Sequence, residues 1–295
     1  MAGKAFTLLI LGALAQAHAT FSIVAVDTVT KEVGSAGASC TGGVIDISAM
    51  LPGRGGINAQ AALVNQNRDN ALARMVAGDS PQQIIAWLQA NDVGGNAATR
   101  QYGIVDLDAQ GKPRSAGFTG SSNSSYANHV LGRNFAAQGN ILIGQAVLDA
   151  MRDRFLATPG PLADKLMAAL QGGKRPGADT RCQQRGISSL SAYLRVAKST
   201  DAAGRYSLNL NVDNIGNREP VDSLQKLYDK TKIPSAAARA AFLEGPTAAQ
   251  WFDVRGRRLG EGDYASFRER PADGVRVLRI RDARGRSRPA LFYLP

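Results

Sequence analysis

The chemistry of this chain starts at Ala17-His18-Ala19-Thr20. Ala17 and Ala19 put small residues at the two positions that signal peptidase reads. They follow an apolar stretch from Phe6 to Ala15 and a positive charge at Lys4, the three parts of a secretory leader. The alternative, a buried N-terminal helix, has to explain why the Ala-x-Ala ending falls just before a strand-like segment. Removal of residues 1–19 would leave Thr20 with a free amine. A threonine hydroxyl is a poor nucleophile until a base takes its proton. An α-amine, with an ordinary pKa of about 7.7–8.0, is such a base, attached to the same residue. No histidine triad is needed, which suits a chain whose only histidine after the leader is His129.

Other side chains invite a role, each beside a plainer one. Ser39 ends the second expected strand and can approach Thr20, or simply bond at the strand end. Gln60 or Asn65 can donate to an oxyanion, or cap a helix or face solvent. His129, beside Asn128 in a polar stretch, reads as hydrogen-bonded rather than catalytic. Asp179 and Arg181, two apart, read as a structural ion pair. Gly53, Gly55, Gly56 and Gly139 form no phosphate loop, because no Gly-Lys-Ser/Thr follows them. No Cys-x-x-Cys or His-x-x-x-His spacing occurs, so no metal is expected, and no cofactor either. Cys40 and Cys182 are the only two cysteines. In an oxidising compartment they have one intramolecular pairing open to them. A disulfide near Thr20 is therefore expected, with two separate buried thiols as the alternative.

The elements that must position these residues alternate in pairs. Residues 20–27 and 33–39 read as a hairpin. The glycine-rich residues 41–58 read as a loop, and a helix is expected from Ala59 to Val76. Ser80-Pro81 with Gln83 opens a second helix through a capping box. Residues 101–108 and 113–118 flank a turn, and 119–128 reads as a Ser/Asn-rich loop. Helices follow at 144–157 and from Pro161 to Leu170, then strands at 188–197 and 205–213 and a helix at 220–231. Hairpins dominate, so the sheets should be mainly antiparallel. Helices arriving in pairs can cover the outer faces of two stacked sheets. The fold class expected is α+β, a four-layer αββα sandwich; periodicity leaves a two-layer α+β domain open.

The opening strand Thr20-Phe21-Ser22-Ile23-Val24-Ala25-Val26-Asp27 and the small-residue strand from Gly34 to Ser39 resemble the start of a bacterial family, domain of unknown function 1028. Further matching segments are Gly103-Ile104-Val105-Asp106, Ala137-Gln138-Gly139-Asn140-Ile141-Leu142, Gly160-Pro161-Leu162-Ala163, Gly177-Ala178-Asp179 with Arg181, and Leu210-Asn211-Val212-Asp213. The resemblance covers about residues 20–231. It implies the N-terminal nucleophile (Ntn) hydrolase superfamily, which typically hydrolyses amide bonds, hence an Ntn-hydrolase-like sandwich; it implies no substrate, and the expected partner is a small-molecule or peptide-like amide. It carries over Thr20 as nucleophile, with Gln138, Asn140, Asp179 and Arg181 as motif residues without an assigned role. No motif places a basic lysine beside Thr20.

Three segments are expected: the leader at 1–19, the Ntn-hydrolase-like domain at 20–234, and a small C-terminal Arg-rich helix/β appendage at 235–295. Residues 251–295 hold 11 Arg against six acids, an excess that suits contact with an anionic surface. No nucleic-acid motif accompanies it, so no nucleic-acid partner is expected. After the leader, no apolar run is long enough to span a bilayer. The expected place is the periplasm or the exterior of a bacterium. Two functions from different classes remain: an exported N-terminal-threonine amidohydrolase, or a non-catalytic envelope protein that binds an anionic or cell-wall ligand on the same fold.

Overall fold

The computed structural model describes residues 20–213 and 216–232, together with the backbone strands at 17–18, 249–253, 258–262, 274–281 and 287–294. The fold is mixed α+β, with two antiparallel sheets and helices packed on them, and a third antiparallel sheet from the C-terminal residues.

One sheet is built from β1 (Ala17–His18), β4 (Ser48–Leu51), β5 (Gly55–Ala62), β6 (Arg100–Leu107) and β7 (Pro113–Thr119), in the order β1-β5-β6-β7 with β4 also on β5. The other is built from β2 (Thr20–Val26), β3 (Val33–Ser39), β8 (Asn128–Gly132), β9 (Phe135–Asn140), β10 (Ser191–Ala197) and β11 (Leu208–Val212), in the order β11-β10-β3-β2-β9-β8. β2 is therefore a central strand, paired on both sides.

β2 shows why the two sheets stack. Its residues alternate between faces. Val24 and Val26 pack with Met50, Val105 and Leu107 of the opposite sheet. Phe21 points the other way, toward Gly173. Both faces are buried, so every residue of the strand is inaccessible. Each fully buried Phe, Ile or Val is worth roughly 1.5–3 kcal/mol of transfer free energy.

Helices take up the remaining apolar faces. α1 (Asn65–Val76) packs on β5, and α2 (Pro81–Ala90) on β6 and β7. α3 (Ala146–Ala157) packs on β8 and β9, and α4 (Leu162–Gly173) on β2, β3 and β10. The α2 capping box forms as expected: Ser80 Oγ accepts from the Gln83 N–H, and Gln83 Oε1 accepts from the Ser80 N–H. α5 (Pro220–Lys232) closes the described part of this region.

The chain divides into two compact units, Met1–Leu224 and Gln225–Pro295. In the second, β12 (Ala249–Asp253), β13 (Arg258–Gly262), β14 (Gly274–Arg281) and β15 (Ser287–Leu294) form a four-stranded antiparallel sheet in the order β13-β12-β14-β15. The helix expected at 235–243 lies outside the described residues, as do residues 1–16.

Two expectations are corrected. Residues 41–58 are not one loop, and no helix starts at Ala59. β4 and β5 occupy this region, and α1 starts at Asn65. Ala-Gln-Ala-Ala favours a helix locally, but tertiary pairing overrides it. Gly55 is pressed against the Val105 carbonyl and the Asp106 backbone of β6, where no Cβ fits. The β8–β9 hairpin was also not expected; β8 is half-exposed and lacks clean alternation.

Candidate functional site around Thr20

Thr20 opens β2 and lies opposite Ser39 on one side and Asn140 on the other. Ser191 of β10 continues the row beyond Ser39. Register partners share a face, so this row, Ser191-Ser39-Thr20-Asn140, is polar from strand to strand. The next row is Tyr193-Gly37-Ser22-Gln138-His129. The rows after it turn apolar at Val24 and Val26. The layer between the sheets thus has one polar end, and Thr20 sits in it.

Polar groups buried this deeply must be bonded, and the opposite sheet supplies partners. Gln60 of β5 donates through Nε2 to the Thr20 carbonyl at 3.2 Å and to Gln101 Oε1 at 2.8 Å. Asn140 Nδ2 donates to the same Gln101 Oε1 at 3.0 Å. Gln138 Nε2 donates to Ser22 Oγ, and Ser22 Oγ donates to Gln60 Oε1, both at 2.6 Å. Gln101 Nε2 in turn donates to Thr119 Oγ1 and to the Gly139 carbonyl. Thr119 Oγ1 meets His129 Nδ1 at 2.9 Å. Burial pushes the His129 imidazole below its ordinary value. A second buried cluster lies alongside: Ser35 Oγ donates to Asn58 Oδ1 and meets the Tyr193 hydroxyl at 2.7 Å. Burial drives the Tyr193 pKa upward.

The Ser39 side is walled by Asp179 and Arg181. Asp179 is fully buried. Its carboxylate accepts from the Cys40 N–H at 2.7 Å and from Arg181 Nη2 at 2.8 Å. The same Arg181 Nη2 reaches Ser39 Oγ at 3.5 Å. Cys40 and Cys182 are disulfide-bonded with their Cα atoms 5.7 Å apart. The bond fixes the residue after β3 to the short 3-10 helix Thr180–Arg185 that Asp179 caps.

Several candidates named from sequence therefore meet at one end of the inter-sheet layer: Thr20, Ser39, Gln60, Gln138, Asn140, Asp179 and Arg181. Asn65 does not join them; with Gly42, Gly43, Asp46 and Leu63 it lines a cavity of about 280 Å³. Sequence reasoning missed Ser22, Gln101 and Thr119. The signal for Ser22 was present, since Thr20 and Ser22 alternate with apolar residues on one face of β2. Gln101 sits in Arg-Gln-Tyr, which has no pattern to mark it.

Three comparisons bear on this site. The model of a family of unknown function, DUF1028, matches residues 20–224. A crystal structure of protein SPO2555 from Silicibacter pomeroyi, described under the same family, is similar at 26% identity and a TM-score of 0.61, over 75% of this chain and 94% of that one. No curated protein matches the chain.

Proposed function

The chain belongs to the DUF1028 family, and from that premise we propose that it is an exported N-terminal-threonine hydrolase acting on an amide bond. The observation that carries the reading is the place of Thr20: the start of a central strand, buried, between Ser39 and Asn140. On this reading residues 1–19 are the leader, 20–234 the catalytic domain and 235–295 an Arg-rich appendage. Packing of α1 and α2 on one sheet and α3 and α4 on the other supports the Ntn-like αββα order. The disulfide supports an oxidising compartment such as the periplasm or the exterior. Among the described residues no helix is long and apolar enough to cross a membrane.

The mechanism follows from the groups at hand. The freed Thr20 amine takes the hydroxyl proton as Oγ attacks the substrate carbonyl. The tetrahedral oxyanion is stabilised by nearby N–H donors, with Asn140 opposite Thr20 and the Arg181 guanidinium at Ser39 on the other side. The C–N bond breaks, and the leaving amine takes the proton from the Thr20 ammonium. Water then attacks the Thr20 ester, with the same amine as base, and releases the acid.

The test is mass spectrometry of the exported protein before and after exposure to a β-lactone, which acylates N-terminal threonine. The expected result is a mature chain starting at Thr20 and a single adduct on its first peptide. A mature start at any other residue, or no adduct, would overturn the proposal and leave the non-catalytic envelope protein.

A further inference from the structure

The short strand ahead of Thr20 crosses to the opposite sheet. Ala17 pairs with Ala62 and His18 with Ala61, antiparallel. Two residues after His18, Thr20 is in the other sheet, opposite Ser39 and Asn140. The residues upstream of Thr20, Ala17 and His18, therefore pair with β5, while Thr20 itself supplies the nucleophile of the proposed reaction.

The edge of β5 that receives Ala17–His18 has no other described strand at that point. β6 holds the opposite edge from Gly55 to Ala61. β4 shares the outer edge only from Gly55 to Asn58. Loss of residues 1–19 opens the outer edge at Ala61–Ala62, and an open strand edge accepts an extended chain. This ledge is also held in an unusual shape. Ala61 has φ of 66°, a left-handed conformation that non-glycine residues seldom adopt. Such strain persists where the surroundings impose it, and functional sites are where it collects. The Leu63 N–H bonds back to the Ala61 carbonyl at 2.9 Å. Arg100 Nη1 holds the Ala62 carbonyl at 2.6 Å, and Asp92 grips the same guanidinium through Nε and Nη2 at 2.8 and 2.9 Å.

We infer that the Ala61–Ala62 edge of β5 is the docking strand for the acyl side of the substrate, and that the substrate is an extended peptide rather than a compact amide. This rests on the reading of Thr20 as nucleophile. The peptide lies where the precursor's own Ala17–His18 lies, antiparallel to β5, and brings its carbonyl to Thr20. The direction of pairing carries its upstream residues past Ala62 toward Leu63. There the cavity lined by Gly42, Gly43, Asp46, Leu63 and Asn65 offers about 280 Å³, room for a further side chain. A rigid ledge pre-formed by Arg100 lowers the ordering cost of such binding.

The test uses the mature protein and acetyl-Gln-Ala-His-Ala acid, which copies residues 16–19 and cannot turn over. Nuclear magnetic resonance titration should give saturable binding, with slowed amide exchange at Ala61 or Ala62. The same peptide with N-methyl groups on the two backbone nitrogens matching Ala17 and His18 keeps the side chains and cannot pair. It should bind several-fold to about tenfold more weakly, since one of the two adjacent N–H groups faces β5 and its net backbone hydrogen bond is lost. Equal affinity of the two peptides, protection away from β5, or no saturable binding would overturn the inference. β-Lactone capture is read separately. If capture fails while both peptide effects hold, the nucleophile falls and the docking edge stands.

Discussion

Gln60 Nε2 donates to the Thr20 carbonyl at 3.2 Å across the gap between the two sheets. The bond ties the first residue of β2 to β5, the strand that also pairs with Ala17–His18. Gln60 thus holds the backbone of Thr20 through its carbonyl.

Thr20→Ala should lower turnover of a peptide amide by about three orders of magnitude or more, since nucleophile and base act as one unit. The melting temperature should stay within a few degrees, because the change removes only a hydroxyl and a methyl at a strand end. Thr20→Ser keeps both reacting groups and should retain part of the activity. Retention of full activity by the alanine variant, in a steady-state assay, would refute the mechanism.

Gly103→Ala should destabilise the fold. A Cβ at Gly103 would fall on the Gln138 side-chain amide, which is itself fixed by its bond to Ser22. Overpacking of this kind costs about 1–3 kcal/mol, or several degrees of melting temperature. Adding Gln138→Ala should relieve the overlap, so the double variant should lose less than the two single losses together. Simple additivity in urea unfolding would argue against the clash.

Breaking the disulfide should cost stability before chemistry. The bond joins residues 142 apart, which corresponds to about 5 kcal/mol in the chain-entropy model. Calorimetry with and without reductant measures it, and a Cys40→Ser/Cys182→Ser variant should melt where the reduced protein does. An unchanged melting point on full reduction would contradict the expectation.

Stability should decline as pH falls below about 6.5, in part through His129. Burial depresses its folded pKa below the ordinary 6.5. Between the two values the unfolded chain binds a proton that the folded chain does not, so acidification favours unfolding. The stabilising contribution is complete above about pH 6.5 and is lost downward toward the folded value. Urea melts from pH 7.5 to 5 should show a shallower decline for His129→Gln, and an unchanged slope would rule His129 out. Asp92 enters only at lower pH, because its bonds with Arg100 hold its carboxyl below the usual range.

How far this was legible in the sequence can be followed residue by residue. The β2–β3 hairpin was readable because its residues are apolar or small and a polar turn separates them. α2 was readable from Ser80-Pro81 and Gln83. The two cysteines had one pairing available, and they make it. β5 was not readable: Gly55, Gly56 and the alanines of this strand carry little β signal, and it forms because β6 needs a neighbour that approaches closely. The sequence offers Gln60 as an oxyanion donor, a cap or a solvent-facing residue; its bond to the Thr20 carbonyl depends on the stacking of β5 over β2, which no local pattern marks. Thr119 and Gln101 became visible only once the sheets were stacked, since a buried relay between strands leaves no mark in spacing.

The central place of β2 has a consequence for durability. N-terminal residues are usually the loosest part of a domain, and aminopeptidases must draw them out before cutting. A mature chain beginning at Thr20 would offer no such handle, because its first residue is held in register by a strand on each side. Trimming would require the middle of a sheet to open, which ties the lifetime of the terminus to unfolding of the whole domain. On the proposed reading of export, the first residue would last among external proteases for as long as the fold does.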